Sequence, residues 1–289
     1  MSISAAGIFF VCGLIAGSFL NAAIYRLPRG ISLARPGSHC PGCGHALRFW
    51  ENLPVISYVI QRGRCRHCRL GFGLRYLAVE LLCGAGFAEA IRRSGPGPAA
   101  IKFSLFAALL IGLVATDWDC QQLPDEFTLG GLLLALAFSY WQGPAGLTGW
   151  AGVMTALEGA AAGAMPLWLL GYAYQRLRGR AGMGLGDVKM MAMVGAFLGA
   201  GLALFTLALG GLLGGVASIA LMLWVGAGRW RRTRGRKGSR AQAWMRAQRA
   251  MQALSSRFAL PFGVCLGLMG WVSWAWGGWI WDWYWMRLR

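Results

Sequence analysis

The sequence predicts an all-α polytopic membrane protein of about eight transmembrane helices, with a small four-cysteine loop domain after the first. Three observations predict it. Of 289 residues, 57 % are apolar and only 13 % charged, whereas a soluble domain is nearer half apolar and a quarter charged. The net charge of +18 is gathered in two places: residues 26–75 hold nine Arg and one acid, residues 226–258 hold ten basic residues and no acid, and the remainder is neutral overall. The apolar residues form continuous runs rather than the alternating segments of a barrel. The same hydrophobicity excludes intrinsic disorder.

A spanning helix needs roughly 20 mainly apolar residues. Such runs lie near 3–25, 76–91, 99–116, 126–142, 150–175 and 259–281. The uncharged stretch 190–228 is too long for one span and divides at Gly199-Ala200-Gly201, giving a short helix from about 188 and a longer one to about 226. Residues 3–25 have no basic region ahead of them, as a signal peptide would. Their cationic flank, Arg26 and Arg29, follows the run, so this reads as a retained first helix with its N-terminus outside. Lys and Arg favour the cytoplasmic side. With 26–75 inside, alternation puts 117–126, 176–187 and 226–258 inside too, 22 basic residues in all. Arg92, Arg93, Lys102, Arg287 and Arg289 fall outside.

Within 226–258, Ala241–Leu254 reads as an amphipathic helix on the inner leaflet, where each cation near anionic lipid gains about 1 kcal/mol. Nucleic-acid binding is not expected, because aromatic spacing for base stacking is absent. Trp271, Trp274, Trp276, Trp279, Trp281, Trp283 and Trp285 suit an interfacial aromatic belt. The chain thus divides into a first transmembrane helix (1–25), a cytoplasmic loop domain (26–75) and a transmembrane body (76–289) carrying the basic loop 226–258.

Cys40-Pro-Gly-Cys43 and Cys65-Arg-His-Cys68 form two C-x2-C pairs 21 residues apart. That lies just beyond the usual spacing of zinc sites of this type. Four thiolates make a closed tetrahedral site, structural rather than catalytic. A loop of 50 residues with little core of its own would draw folding free energy from the metal. Disulfides do not suit thiols assigned to reducing cytosol, and His39, His45 and His67 read as loop histidines beside a complete ligand set. Cys12, Cys83, Cys120 and Cys265 read as small apolar residues in or near spans.

Only ten acids are present, and Asp117, Asp119, Asp125 and Glu126 crowd one helix end. Asp187 follows Gly182-Met183-Gly184-Leu185-Gly186, where the next short helix begins. In the topology above both sites are at cytoplasmic helix ends. Capping is one reading, for Asp187 and for Asp125 with Glu126 after Pro124. Three glycines in five residues before Asp187 favour another, since glycine admits an extended peptide close to the backbone. Two carboxylates at one site can share a proton, one drawing a proton from water while the other supplies one to the substrate.

Together the motifs resemble the type IV prepilin peptidases, over nearly the whole chain. The resemblance is carried by Gly17-Ser18-Phe19-Leu20-Asn21 with Tyr25-Arg26-Leu27-Pro28, by the two cysteine pairs, and by Trp50-Glu51-Asn52-Leu53-Pro54 with Ser57-Tyr58. Further motifs are Arg75-Tyr76 with Glu80, Asp117-Trp118-Asp119 before Leu123-Pro124-Asp125, Gly184-Leu185-Gly186-Asp187, and Pro261-Phe262-Gly263. It implies an eight-helix bacterial inner-membrane aspartyl protease of the GxGD type. Asp117 and Asp187 would be the catalytic pair, with Asp119 the less suitable partner.

The resemblance further implies cleavage after a Gly in the leader of type IV prepilins or type II secretion pseudopilins. Transfer of a methyl group from S-adenosylmethionine to the new N-terminal amine would follow. The loop 26–75 would serve the methyltransferase half, where Glu51, Asn52, Arg75 and Glu80 match motif positions. The basic segment from Arg229 to Arg257 is longer than the family's usual connection, and Val264 follows Pro-Phe-Gly where a second Pro is common. Competing readings are a peptidase without methyl transfer and, in a different class, a membrane zinc-ribbon scaffold. The first is disfavoured by the complete cysteine set, the second by the glycine loop before Asp187.

Overall fold

The structure is a computed structural model that describes residues 3–35, 37–40, 42–179, 184–234 and 261–288. Among the described residues it is helical throughout, with two isolated β-bridges and no strand. The helices are α1 (Ile3–Arg26), α2 (Ile56–Ile60), α3 (Leu74–Ser94), α4 (Pro98–Cys120), α5 (Asp125–Ser139), α6 (Gly149–Arg178), α7 (Leu185–Leu198), α8 (Ala200–Arg234) and α9 (Phe262–Leu288). Most of the basic segment 226–258, including the expected amphipathic helix Ala241–Leu254, lies outside the described residues, as do Gly182 and Met183.

Among the described residues, four segments are long and apolar enough to cross a membrane: Ala5–Arg29, Pro98–Cys120, Gly149–Arg178 and Ala200–Trp224. Others fall short for physical reasons. At 1.5 Å per residue, α5 and α7, with 15 and 14 residues, are roughly 22 Å long against about 30 Å of hydrocarbon. Helix α3 carries Glu80, Glu89, Arg92 and Arg93. The break expected near residue 199 falls between α7 and α8, at Gly199 with φ +85°.

The core is built on α4 and α7. Phe106, Leu110 and Leu113 of α4 and Met190, Met191, Met193, Val194 and Phe197 of α7 are at most 1 % exposed. The Phe106 and Phe197 rings lie 4.7 Å apart. A helix apolar all round belongs in an interior, and α7 packs against α5, α6, α8 and α9 and meets α4 through the Phe106–Phe197 rings. Its enclosure explains how so short a helix sits at the centre.

Glycine sets two of the closest approaches. A Cβ at Gly159 of α6 or Gly195 of α7 would fall inside contact distance of the other's backbone carbonyl. A Cβ at Gly13 or Gly17 of α1 would lie 2.5 Å from Cys83 O and 2.7 Å from Glu80 Cα of α3. Small residues that let backbones meet are how helices associate in lipid, where hydrophobic driving force between them is lacking.

Two expectations change here. Trp271 and Trp274 are partly buried: the Trp271 ring lies over Gly86 and Trp274 stacks near Phe103 at 5.8 Å. Only the later Trp276 and Trp279 are exposed in the manner of a belt, and the side chains of Trp281, Trp283 and Trp285 lie outside the description. Lys102, assigned to an outer flank, is 1 % exposed and donates to Gln142 O at 2.8 Å and Ser139 Oγ at 3.4 Å. It ties the start of α4 to the end of α5.

Gly195→Leu should therefore force α6 and α7 apart and cost about 1–3 kcal/mol, the usual range for overpacking. The same change at Gly201, which has open space beside it, should cost far less. Thermal melting of the two detergent-purified variants checks the contrast.

Candidate functional site

Up-and-down helices bring distant residues to one end of the bundle. Helix α4 ends when Gln121 turns left-handed at φ +53°, its N–H donating to Asp117 O. The link through Pro124 starts α5, where Pro124 O accepts the N–H groups of Phe127 and Thr128. Helix α7 begins after Gly184, and α9 begins at Phe262. Leu123 wedges between the last two: a Cβ on Gly186 would lie 3.1 Å from it, and one on Gly263 3.3 Å. One purpose of the second glycine in Gly184-Leu185-Gly186-Asp187 is thus steric.

Asp117 is 6 % exposed, and its Oδ2 accepts the Val264 N–H at 2.8 Å. Gly263 also donates from its backbone. The first turn of α9 therefore holds the carboxylate, as helix N-termini hold anions. A Cβ at Gly263 would lie 2.8 Å from that same oxygen. Asp187, in the first turn of α7, is half-buried and within electrostatic reach of Asp117. Both line one cavity of about 450 Å³ with Leu27, Pro28, Gln122 and Glu126.

The remaining acids have other duties. Asp119 pairs with Arg75 of α3. Asp125, expected as a cap, is the first residue of α5 after a Pro124 cap, and pairs with Lys189 of α7 at 2.7 Å. Sequence reasoning missed the Gly263 and Val264 amides; the available signal was Pro261-Phe262-Gly263 opening an apolar run. It also missed both ion pairs.

The four cysteines come together as two matching knuckles. Gly44 N donates to Cys40 O and Arg69 N to Cys65 O, each at 2.9 Å, while Cys40 N and Cys65 N donate to His45 O and Leu70 O. The bridges His39–Ala46 and Arg64–Gly71 close the two turns. Gly44 and Arg69 occupy equivalent left-handed positions at φ +70° and +59°. The Cys40, Cys43, Cys65 and Cys68 sulfurs lie within 4.8 Å of one another, with 3.6 Å between Cys40 and Cys68 and 4.0 Å between Cys43 and Cys65. A tetrahedral ion with bonds of about 2.3 Å needs sulfurs about 3.8 Å apart. The set fits one such ion. Backbone amides of Cys68 and His67 draw the Cys65 thiol down, while the neighbouring sulfurs push Cys68 up, so without an ion the cluster shares its negative charge unequally.

Of the other motif residues, Glu51, Asn52 and Glu80 line a second cavity beside the end of α1, whereas Arg75 is engaged with Asp119. His45 and His67 stack at 5.2 Å beside the cysteines, and His45 Nε2 lies 3.8 Å from Glu51.

Two family models match the chain: the Bacterial Peptidase A24 N-terminal domain over residues 11–93, and the Type IV leader peptidase family over residues 104–219. The chain is similar to a prepilin leader peptidase/N-methyltransferase of Burkholderia pseudomallei (strain 1026b), 39 % identical over 65 % of this chain and 67 % of the relative. Proteins of the same name from Pseudomonas putida and Neisseria gonorrhoeae are 32 % and 34 % identical. They match over 92 % and 73 % of this chain and 89 % and 80 % of their own lengths. No solved structure matches.

The cluster geometry predicts about one tightly held ion per chain in protein purified without added metal. Cys→Ser at any of the four positions should lower that content sharply, since a hydroxyl is a poor ligand for a soft-accepting metal. Elemental analysis decides it, with Cys12→Ser as the control.

Proposed function

Because this chain belongs to the type IV leader peptidase family, we propose that it is a prepilin leader peptidase that also N-methylates its product, with Asp117 and Asp187 as the catalytic pair. The carrying observation is their meeting in one cavity from helices 70 residues apart in sequence. The backbone donors at α9 fix one face of Asp117. The cavity in front of both carboxylates admits water and an extended peptide. One carboxylate takes a proton from the attacking water while the other gives its proton to the carbonyl oxygen; as the resulting diol collapses, the first passes its proton to the leaving amine and the second recovers one from the diol hydroxyl. Asp119 is occupied by Arg75 and is not needed for this exchange.

All eight helices other than α2 are read as crossing the bacterial inner membrane, with the short α7 enclosed by its neighbours. The N-terminus is periplasmic, and the cavity opens at the cytoplasmic face. The substrates are type IV prepilins or type II secretion pseudopilins, cut after a Gly. Residues 1–25 form the first transmembrane helix, 26–75 the zinc-binding loop and 76–289 the peptidase body with its basic loop against lipid. The ion is structural zinc, supported by the four-sulfur geometry, and the loop it folds serves methyl transfer. S-adenosylmethionine supplies the methyl group when bound. Glu51, Asn52 and Glu80, motif residues of the methyltransferase half, line the second cavity together. The order is forced, because the amine to be methylated does not exist until the peptide bond is cut.

Asp117→Asn and Asp187→Asn should each lower cleavage of a prepilin by about 100-fold or more, the scale of losing a general acid or base, with protein level and membrane insertion unchanged. Asp119→Asn should keep substantial activity. Equal loss in all three would remove the pair from its role.

Cys65→Ser should impair methylation more than cleavage, leaving mature but unmethylated pilin in the mass spectrum of its N-terminus. Asp187→Asn should still methylate a pre-cleaved pilin peptide.

A further inference from the structure

The cysteine loop touches the flank of the helix bundle as well as its end. Ser18 donates to Asn52 O at 3.5 Å, and the Val55 N–H donates to Glu80 Oε2 at 2.8 Å. At 3.6 residues per turn, Ser18 lies about two turns inside the end of α1 at Arg26, and Glu80 is in the second turn of α3. The turn Phe49–Asn52 and the short α2 therefore lie alongside these two helices, level with their loop-side turns.

The surface they present there is apolar. Phe49, Trp50, Ile56, Val59 and Ile60 are each more than half exposed, and exposed apolar surface of this extent marks a binding face. Along α1 runs a stripe of similarly exposed residues, Ile8, Val11, Ile15 and Phe19, the side a spanning helix turns to lipid. Phe19 is the neighbour of Ser18, so the apolar face of the loop continues the stripe where α1 nears its end.

Beside this face lies a third cavity, of about 690 Å³. Trp50, Ile56 and Ile60 form an apolar wall, and Arg62, Arg64, Arg66 and Arg69 a cationic one. All four arginines are exposed, and none has a side-chain partner among the described residues. The one acid of the loop, Glu51, is buried at the cavity wall, and its Oε2 accepts the Arg48 N–H. At two of the arginine positions the backbone would favour glycine. Arg62 and Arg69 have φ +50° and +59°, a region costly for any residue with a Cβ, and the counterpart of Arg69 in the first knuckle is Gly44. What the side chains add at both positions is a guanidinium.

We propose that Phe49–Ile60 is an interfacial element seated in the leaflet around the loop-side end of α1, and that the third cavity takes the phosphate of an anionic phospholipid. The inference rests on the reading of α1 and α3 as spanning helices. Elements that lie in a membrane surface hold it with apolar side chains on one face and cations on the other. Arg48 over the Trp50 ring at 5.6 Å has the composition of the headgroup level, and guanidinium groups pair with phosphate through two parallel hydrogen bonds. A bilayer lipid meets both walls of the cavity at once, its phosphate on the arginines and its chains on the apolar face; a free phosphate meets only one.

The test places a photo-crosslinking benzoylphenylalanine at Val59, which is exposed beside the cavity without lining it. The full-length protein is reconstituted in nanodiscs of equal parts phosphatidylglycerol and phosphatidylcholine, and the adduct mass names the lipid captured. Phosphatidylglycerol adducts should exceed phosphatidylcholine adducts about tenfold or more, at about fivefold per cation beside an anionic surface. Arg62→Gly with Arg69→Gly should bring that ratio within about threefold of equal while zinc content and melting temperature hold or rise, because glycine relieves both backbone positions. Where that pair loses zinc, Arg64→Gln with Arg66→Gln is read in its place. The same probe at Ile15, 60 % exposed on α1, reports the spanning reading separately. Lipid adducts at Ile15 with none at Val59 would overturn the inference and leave that reading standing; none at either position would remove both. An equal ratio in the wild-type protein, or a ratio unmoved in the zinc-retaining variant, would overturn the phosphate site. Replacement of the lipid adduct at Val59 by a pilin adduct when a prepilin is added would assign the face to substrate and overturn the lipid assignment.

Discussion

The backbone contact between α6 and α7 at Gly159 and Gly195 is the constraint on which the arrangement turns. Helix α7 is short and buried on nearly every side, so it cannot find its depth by floating in lipid as a long helix does. Its height is set by what it touches. With Gly159 and Gly195 in register, and Met191 O against Gly163 one turn further along, the first turn of α7 stops level with the last turn of α4. Only then do Asp187 and Asp117 face one cavity. Ionisable groups are costly inside a bilayer, and the end of the bundle is where a carboxylate pair can be both partly desolvated and reachable.

The helices were largely legible in the sequence, because bilayer-length apolar runs leave few alternatives. The break at Gly199 was legible too, since an uncharged stretch of that length cannot be one span. The central place of α7 was not: its sequence is as apolar as that of its neighbours, and only the packed set shows which helix is enclosed. Asp117 and Asp187 could be paired by residue type, glycine content and family resemblance. The amides of Gly263 and Val264 could not, because backbone donors carry no residue signature. Arg75 with Asp119, and Lys189 with Asp125, were also hidden, being charge pairs far apart in sequence. Lys102 and the Trp271–Trp274 pair went the other way: residue types normal at interfaces are packed inside, each with a partner that periodicity does not reveal.

The cysteine loop achieves order by a different route from the bundle. It has few buried apolar side chains, and its regular features are two turns that repeat the same hydrogen bonds around Cys40 and Cys65. In the first turn the left-handed position is a glycine, in the second it is Arg69, a conformation that costs a side-chain-bearing residue roughly a kcal/mol or more. An ion bound by both turns would offset such strain. The loop also leans on the bundle: Ser18 donates to Asn52 O, and Val55 is tied to Glu80. One side of the second cavity is therefore helix and the other the cysteine loop.

The pair between Arg75 and Asp119 spans the boundary between these two regimes. Arg75 is in the first turn of α3, a few residues beyond the cysteine loop, and Asp119 is two residues past Asp117. In mechanical terms the pair is a strut: it carries load from the loop to the helix that holds a carboxylate, bypassing the rest of α3 and α4. A displacement of the loop would be transmitted as a tilt of the last turn of α4. The two cavities, separately lined, are in this sense geared to one another.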